Sequence, residues 1–139
     1  MSHEALRMTS PVMHMRRTAT QDTEIAGQNI AEDEKVIMWY GAANRDPSVF
    51  PNPDIFDMTR DNVEKHVAFG HGVHRCLGNR IAQMQLNMAY ERILDRFPNI
   101  HWTGKQKIEP IILVHAISSL KVNLYGKGAK RPAKVVVPR

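Results

Sequence analysis

The sequence predicts an α+β fold, with small antiparallel hairpins accompanying a few helices, and three observations lead there. Residues 77–97 carry apolar side chains at helical spacing, and short β-leaning runs recur in pairs around turn residues. Between them, residues 46–67 are broken up by proline, asparagine and aspartate. The 139 residues suffice for one ordinary domain.

Taken in order, residues 3–8 read as a short helix that stops before Pro11. Residues 12–20 lean towards strand, and Thr23–Ile25 with Gln28–Ile30 flank Ala26-Gly27 as a hairpin. The apolar run 35–40 reads as a buried strand, and 46–67 as an irregular, coil-rich excursion. The helix of residues 77–97 has apolar residues at Ile81, Ala82, Met84, Leu86, Met88, Ala89, Ile93, Leu94 and Phe97. That stripe is wide enough for burial on more than one side, with Met84 and Met88 as core, and Pro98 ends it. A final hairpin is expected from residues 111–114 and 120–124 around Ser118-Ser119.

Composition is that of a soluble globular chain: 42% hydrophobic and 24% charged, without an apolar run long enough to span a bilayer. Nothing at the N-terminus resembles a signal peptide. The net charge of +5 sits at one end. Lys127, Lys130, Arg131, Lys134 and Arg139 are unaccompanied by acid, and the remainder balances 14 basic against 14 acidic residues. Residues 126–139 therefore read as a basic, solvated tail on a body formed by 1–125, and no nucleic-acid partner is expected. One cysteine excludes an internal disulfide and suits a reducing compartment.

That cysteine lies in Phe69-Gly70-His71-Gly72-Val73-His74-Arg75-Cys76-Leu77-Gly78. Gly70, Gly72 and Gly78 allow tight turns and let a flat, bulky group approach the main chain. A thiol entering a helix N-terminus meets free N–H groups and the positive end of the dipole, which favour the thiolate, a soft metal ligand. Three plainer readings compete: a small buried hydrophobe, a zinc site with His66, His71 and His74, and a nucleophile paired with a histidine.

The whole decade resembles the haem–thiolate loop of the cytochrome P-450 family, F-G-x-G-x-H-x-C-x-G, without a mismatch. Glu4-Ala5-Leu6-Arg7 resembles the family's E-x-x-R, and Arg17-Thr18-Ala19-Thr20-Gln21-Asp22 its R-x-x-T-x-D strand. Ala43-Asn44-Arg45-Asp46-Pro47 and Phe50-Pro51-Asn52-Pro53-Asp54-Ile55-Phe56 look like its meander, which accounts for the long excursion. The resemblance covers nearly residues 4–125 and implies the C-terminal portion of a mainly α fold: small hairpins, meander, cysteine-ligand loop and a buried helix.

The resemblance also implies roles. Cys76 would bind the iron of haem b, beside Phe69, Gly70 and Gly78, with N–H groups of Leu77 and Gly78 tempering the sulfur. His74 and Arg17 would serve the propionates. Glu4 and Arg7 would form a buried ion pair that orders the meander. The third partner falls at Ile55, with Arg45 as substitute. Val12, Met13, Leu113 and Val114 would wall an apolar substrate, and the surroundings of Cys76 look like bacterial alkane and fatty-acid hydroxylases. The implied activity is a cytoplasmic monooxygenase, monomeric when whole, fed by a ferredoxin docking near Lys65, Arg75 and Arg80. Against it stands a catalytically inactive remnant that at most binds haem.

Overall fold

The computed structural model describes residues 1–126; from residue 127 on, the expected basic tail lies outside the described residues. The chain divides into two units. The first comprises Met1–Asn79 with Ile111–His115, and the second Arg80–Pro110 with the residues from Ala116 onward.

In the first unit, α1 (Ser2–Thr9) turns Ser2, Glu4, Leu6 and Arg7 inward. It ends because Ser10 adopts a left-handed conformation, φ 39°, and returns its N–H to the Leu6 carbonyl at 2.9 Å. Pro11 could not have continued the helix. Strands β1 (His14–Thr18) and β4 (Lys35–Trp39) pair antiparallel from His14 opposite Trp39 to Thr18 opposite Lys35. Between them β2 (Thr23–Ile25) and β3 (Gln28–Ile30) close the expected hairpin, with positive φ at both Ala26 (51°) and Gly27 (82°). Strand β4 is half-buried rather than buried: Val36 and Met38 are partly covered while Ile37 and Trp39 are exposed. A two-stranded sheet leaves one face to solvent, so alternation replaces full burial.

A four-residue helix, α2 (Tyr40–Ala43), leads into the coil-rich excursion. Asp46 accepts hydrogen bonds from the N–H and hydroxyl of Ser48, and Asp57 from those of Thr59, so each aspartate pins its own turn. The interior of this unit is unusually polar. Leu6, Tyr40, Phe50 and Ala68 are buried, but so are Glu4, Arg7, Ser10 and Asn44.

The second unit holds α3 (Asn79–Arg96) from Arg80 on, β5 (His101–Glu109) and β6 (Ala116–Asn123). The helix forms where expected, but it buries no residue; Ile81, Met84 and Met88 are 60%, 55% and 51% exposed. The other regular elements of its unit form a single two-stranded ribbon, too narrow to cover several faces of an 18-residue helix. The final hairpin is also displaced from the expected one. Strand β5, absent from the sequence reading, pairs with β6 from His101 opposite Asn123 to Glu109 opposite Ala116. Ser118 and Ser119 lie within β6, and the apolar run 111–114 is the connection rather than a strand.

Candidate functional site

The first unit is organised around Arg7. Its Nε and Nη2 donate to the two carboxylate oxygens of Glu4, both at 2.8 Å, one turn away on α1. The remaining donors reach the excursion: Nη1 to the carbonyls of Asn44 and Pro53, each 2.8 Å, and Nη2 to that of Ile55 at 3.3 Å. The guanidinium also lies over the Phe50 ring, 5.2 Å from its centroid. One side chain thus ties α1 to three points of a segment held internally by turns rather than by strands or long helices.

The third charged member is Arg60, whose Nε lies 3.4 Å from Glu4 Oε1 and whose side chain is almost fully covered. This corrects the expectation of Arg45. Arg45 instead pairs with exposed Asp54 at 3.2 Å and donates to the Met8 carbonyl. Ile55 contributes only its carbonyl, which accepts from both Arg7 and Arg60. Arg60 was missed because the excursion doubles back: Arg60 also binds the Pro51 and Asn52 carbonyls, a closure no local spacing announces.

The hydrogen bonds of Arg7 hold the Glu4 carboxyl down to about 2, helped by the Asp57 N–H and the charges of Arg7 and Arg60, and opposed by desolvation. A folded pKa below the unfolded one contributes stability that is complete above about 4.5 and is lost as pH falls towards 2. Acid titration followed by circular dichroism should show a loss of stability in that window, and Glu4→Gln should lack that step.

A second buried group, Asn44, links the same core to the cysteine loop. Its Nδ2 donates to Ser10 Oγ at 2.9 Å, and its Oδ1 accepts from the Val67 N–H at 2.7 Å. The loop then turns through Gly70 (φ 72°) and Gly72 (φ 66°). A Cβ on Gly70 would touch the Tyr40 hydroxyl and the His74 carbonyl at 3.4 Å, an ordinary contact distance, so it is the positive φ of 72° that favours glycine there. The Cys76 N–H donates to the Phe69 carbonyl at 2.8 Å, and the Cys76 carbonyl accepts from the N–H (3.3 Å) and Nδ2 (2.6 Å) of Asn79. Cys76 is exposed.

Cys76, His74, Gly70, Phe69 and Arg17 line one cleft of about 450 Å³, together with Leu6, Pro11, Val12, Met15, Tyr40 and Ala68. Arg17 spends one donor on the neighbouring Arg16 carbonyl, which leaves the rest of its fork for a ligand. Gly78 is not on this wall, although a Cβ there would lie 3.9 Å from Cys76 Sγ. The four apolar residues proposed as a substrate wall are joined through the backbone. Val12 bridges Val114, and the Met13 N–H donates to the Leu113 carbonyl. Only Val12 of the four reaches the cleft lining. Phe69 packs against His66, the two rings tilted at 48° with centroids 5.9 Å apart.

The donor set suits haem. A single soft sulfur, a guanidinium and an imidazole suited to two carboxylates, and apolar side chains line one concavity. Such a lining would suit a haem held by a thiolate. The family model described as cytochrome P450 matches residues 1–122, and the chain belongs to that family, which implies a haem cofactor. The linalool 8-monooxygenase of Pseudomonas putida is 44% identical over 124 residues, which are 89% of this chain and 30% of that protein. Cytochrome P450-153 from Novosphingobium aromaticivorans superposes with a TM-score of 0.81 at 43% identity, covering 86% of this chain and 30% of that one. P450BioI, solved with a hexadec-9Z-enoic acid-ligated acyl carrier protein, gives 0.83 at 39%, covering 88% and 32%. The chain spans about 30% of the length of the curated relatives it matches. No helix among the described residues is long and apolar enough to cross a membrane.

Proposed function

We propose that this chain forms the haem-binding part of a monooxygenase that converts a C–H bond of an apolar small molecule to C–OH. One atom of O2 enters the product and the other leaves as water, with two electrons from a redox partner and two protons balancing the reaction. The observation that carries this reading is the convergence of Cys76, Arg17 and His74 on one apolar-walled cleft. The haem, here read as haem b, supplies the redox-active iron.

The chain's own residues do the rest. Cys76 binds as thiolate, its backbone fixed from both sides by the Phe69 carbonyl and by Asn79. Arg17 and His74 donate to the propionates and set the orientation of the ring. Leu6, Val12, Met15 and Ala68 keep water from the face they line. Arg7, Glu4 and Arg60 hold the excursion in place and take no part in the chemistry. Lys65 and Arg75 of the first unit are exposed and would steer an acidic ferredoxin in the cytoplasm; Arg80, in the second unit, is exposed as well. The substrate class follows from the apolar wall and from what two relatives handle, linalool in one and a fatty acyl chain in the other.

Haem titration of the purified chain tests the reading. A Soret band should develop at one equivalent, and Arg17→Ala and His74→Ala should each weaken binding by roughly tenfold. Unchanged affinity in both variants would contradict the propionate roles. A second reading, a polypeptide that binds haem without turning over substrate, is favoured by the uncovered stripe of α3. On that reading the loaded chain, given reductant and a linear alkane or terpene alcohol, yields no hydroxylated product; product formation would exclude it.

A further inference from the structure

The base of the cysteine loop rests on His66, which no role above uses. His66 is 9% exposed and sits ten residues before Cys76 in the sequence. Its Nδ1 lies 3.2 Å from the Ala68 N–H, and since an amide N–H only donates, Nδ1 must accept and carry no proton. The proton of the neutral ring then lies on Nε2, 3.3 Å from Nδ1 of His3, which accepts in turn. The two imidazoles are tilted at 46° with centroids 5.4 Å apart. On its other side the His66 ring packs against Phe69, whose carbonyl holds the Cys76 N–H.

We propose that His66, as the Nε2-protonated neutral tautomer, is a positioning residue for the cysteine loop, joining α1 through His3 to the Ala68–Phe69 backbone that seats Cys76. Protonation of Nδ1 would turn an acceptor into a donor facing the Ala68 N–H, so the seat is a two-state contact set by the charge on His66. The groups facing the ring are His3, Glu4 and Arg7 on α1 and Arg75 on the loop. Burial lowers its pKa to about 4, assisted by His3, Arg75 and Arg7 and opposed by Glu4. A folded pKa below the unfolded one means the neutral seat contributes fully above about 6.5 and its contribution is lost as pH falls towards 4. The consequence for haem rests on Cys76 being the ligand; the tautomer and the seat do not.

Side-chain and amide NMR of the 139-residue chain, free of haem, tests it. The expected result is a His66 ring with Nδ1 bare and Nε2 protonated, titrating near 4, with the Ala68 and Phe69 amides shifting at the same midpoint. His3→Ala should raise that midpoint. His66→Phe, which keeps a ring against Phe69 but removes both nitrogens, should abolish the amide shift and speed Ala68 exchange by roughly fivefold. A protonated Nδ1 at neutral pH, or the same acid shift persisting in His66→Phe, would overturn the proposal. Because no haem is present, either result is independent of whether Cys76 binds iron.

Discussion

Arg7→Ala is expected to unfold the first unit. The side chain is completely buried and donates five hydrogen bonds to oxygen, two to Glu4 and three to carbonyls of Asn44, Pro53 and Ile55. Truncation leaves the Glu4 carboxylate buried with only Arg60 at 3.4 Å for a cation, and removes the shared anchor of the excursion. Breaking one side of a buried ion pair costs about 3–5 kcal/mol, against a total stability of about 5–15 kcal/mol for an ordinary domain. Arg7→Lys should rescue little, since an ammonium cannot present the planar fork that grips Glu4 in two places. Arg45→Ala is the matched control. Its partner Asp54 is exposed, and its ion pair contributes at most about 1 kcal/mol. Urea unfolding followed by far-UV circular dichroism should show Arg7→Ala unfolded or nearly so without denaturant, and Arg45→Ala close to the parent. Equal midpoints for the parent and Arg7→Ala would remove Arg7 from the centre of the unit.

The contrast between Arg7 and Arg60 shows what the sequence can convey. Glu4 and Arg7 are one helical turn apart, so their meeting follows from α-helical geometry once α1 is recognised. Arg60 reaches the same carboxylate across a segment with little regular structure, and its position depends on turns set by Asp57 and by carbonyls it binds itself. Turn chemistry announces that the chain bends there but not where it returns. The hairpin at Ala26-Gly27 was legible because two residues at positive φ fix its register. The final hairpin was not, because β5 is largely polar along Thr103-Gly104-Lys105-Gln106-Lys107 and lacks the apolar alternation that marks a strand. The apolar run 111–114 carries a strand-like composition yet serves as a connection, with Val114 bridging Val12 in the first unit.

The candidate site divides the same way. Glycine spacing places Cys76 in a tight loop, and the resemblance names its partners. Asn44 reaches the Val67 N–H across 23 residues and His3 meets His66 across 63, so neither contact has a local signature. For α3, helical periodicity gives the element correctly and overstates its burial, since periodicity reports what a face could cover and not what stands opposite.

The central claim is that Cys76 is the thiolate ligand of haem iron. The side chain shares its cleft with Arg17 and His74, and it is the one cysteine of the sequence. Cys76→Ala should therefore remove the one thiolate the sequence offers, while leaving the backbone bonds to Phe69 and Asn79 available to the alanine. The direct measurement is the absorption spectrum of the haem-loaded, dithionite-reduced chain under carbon monoxide. Thiolate ligation predicts a strongly red-shifted Soret band in the parent, and its complete loss in Cys76→Ala at matched haem content. A red-shifted band that survives the substitution, or a parent that loads haem and never shows one, would contradict the assignment.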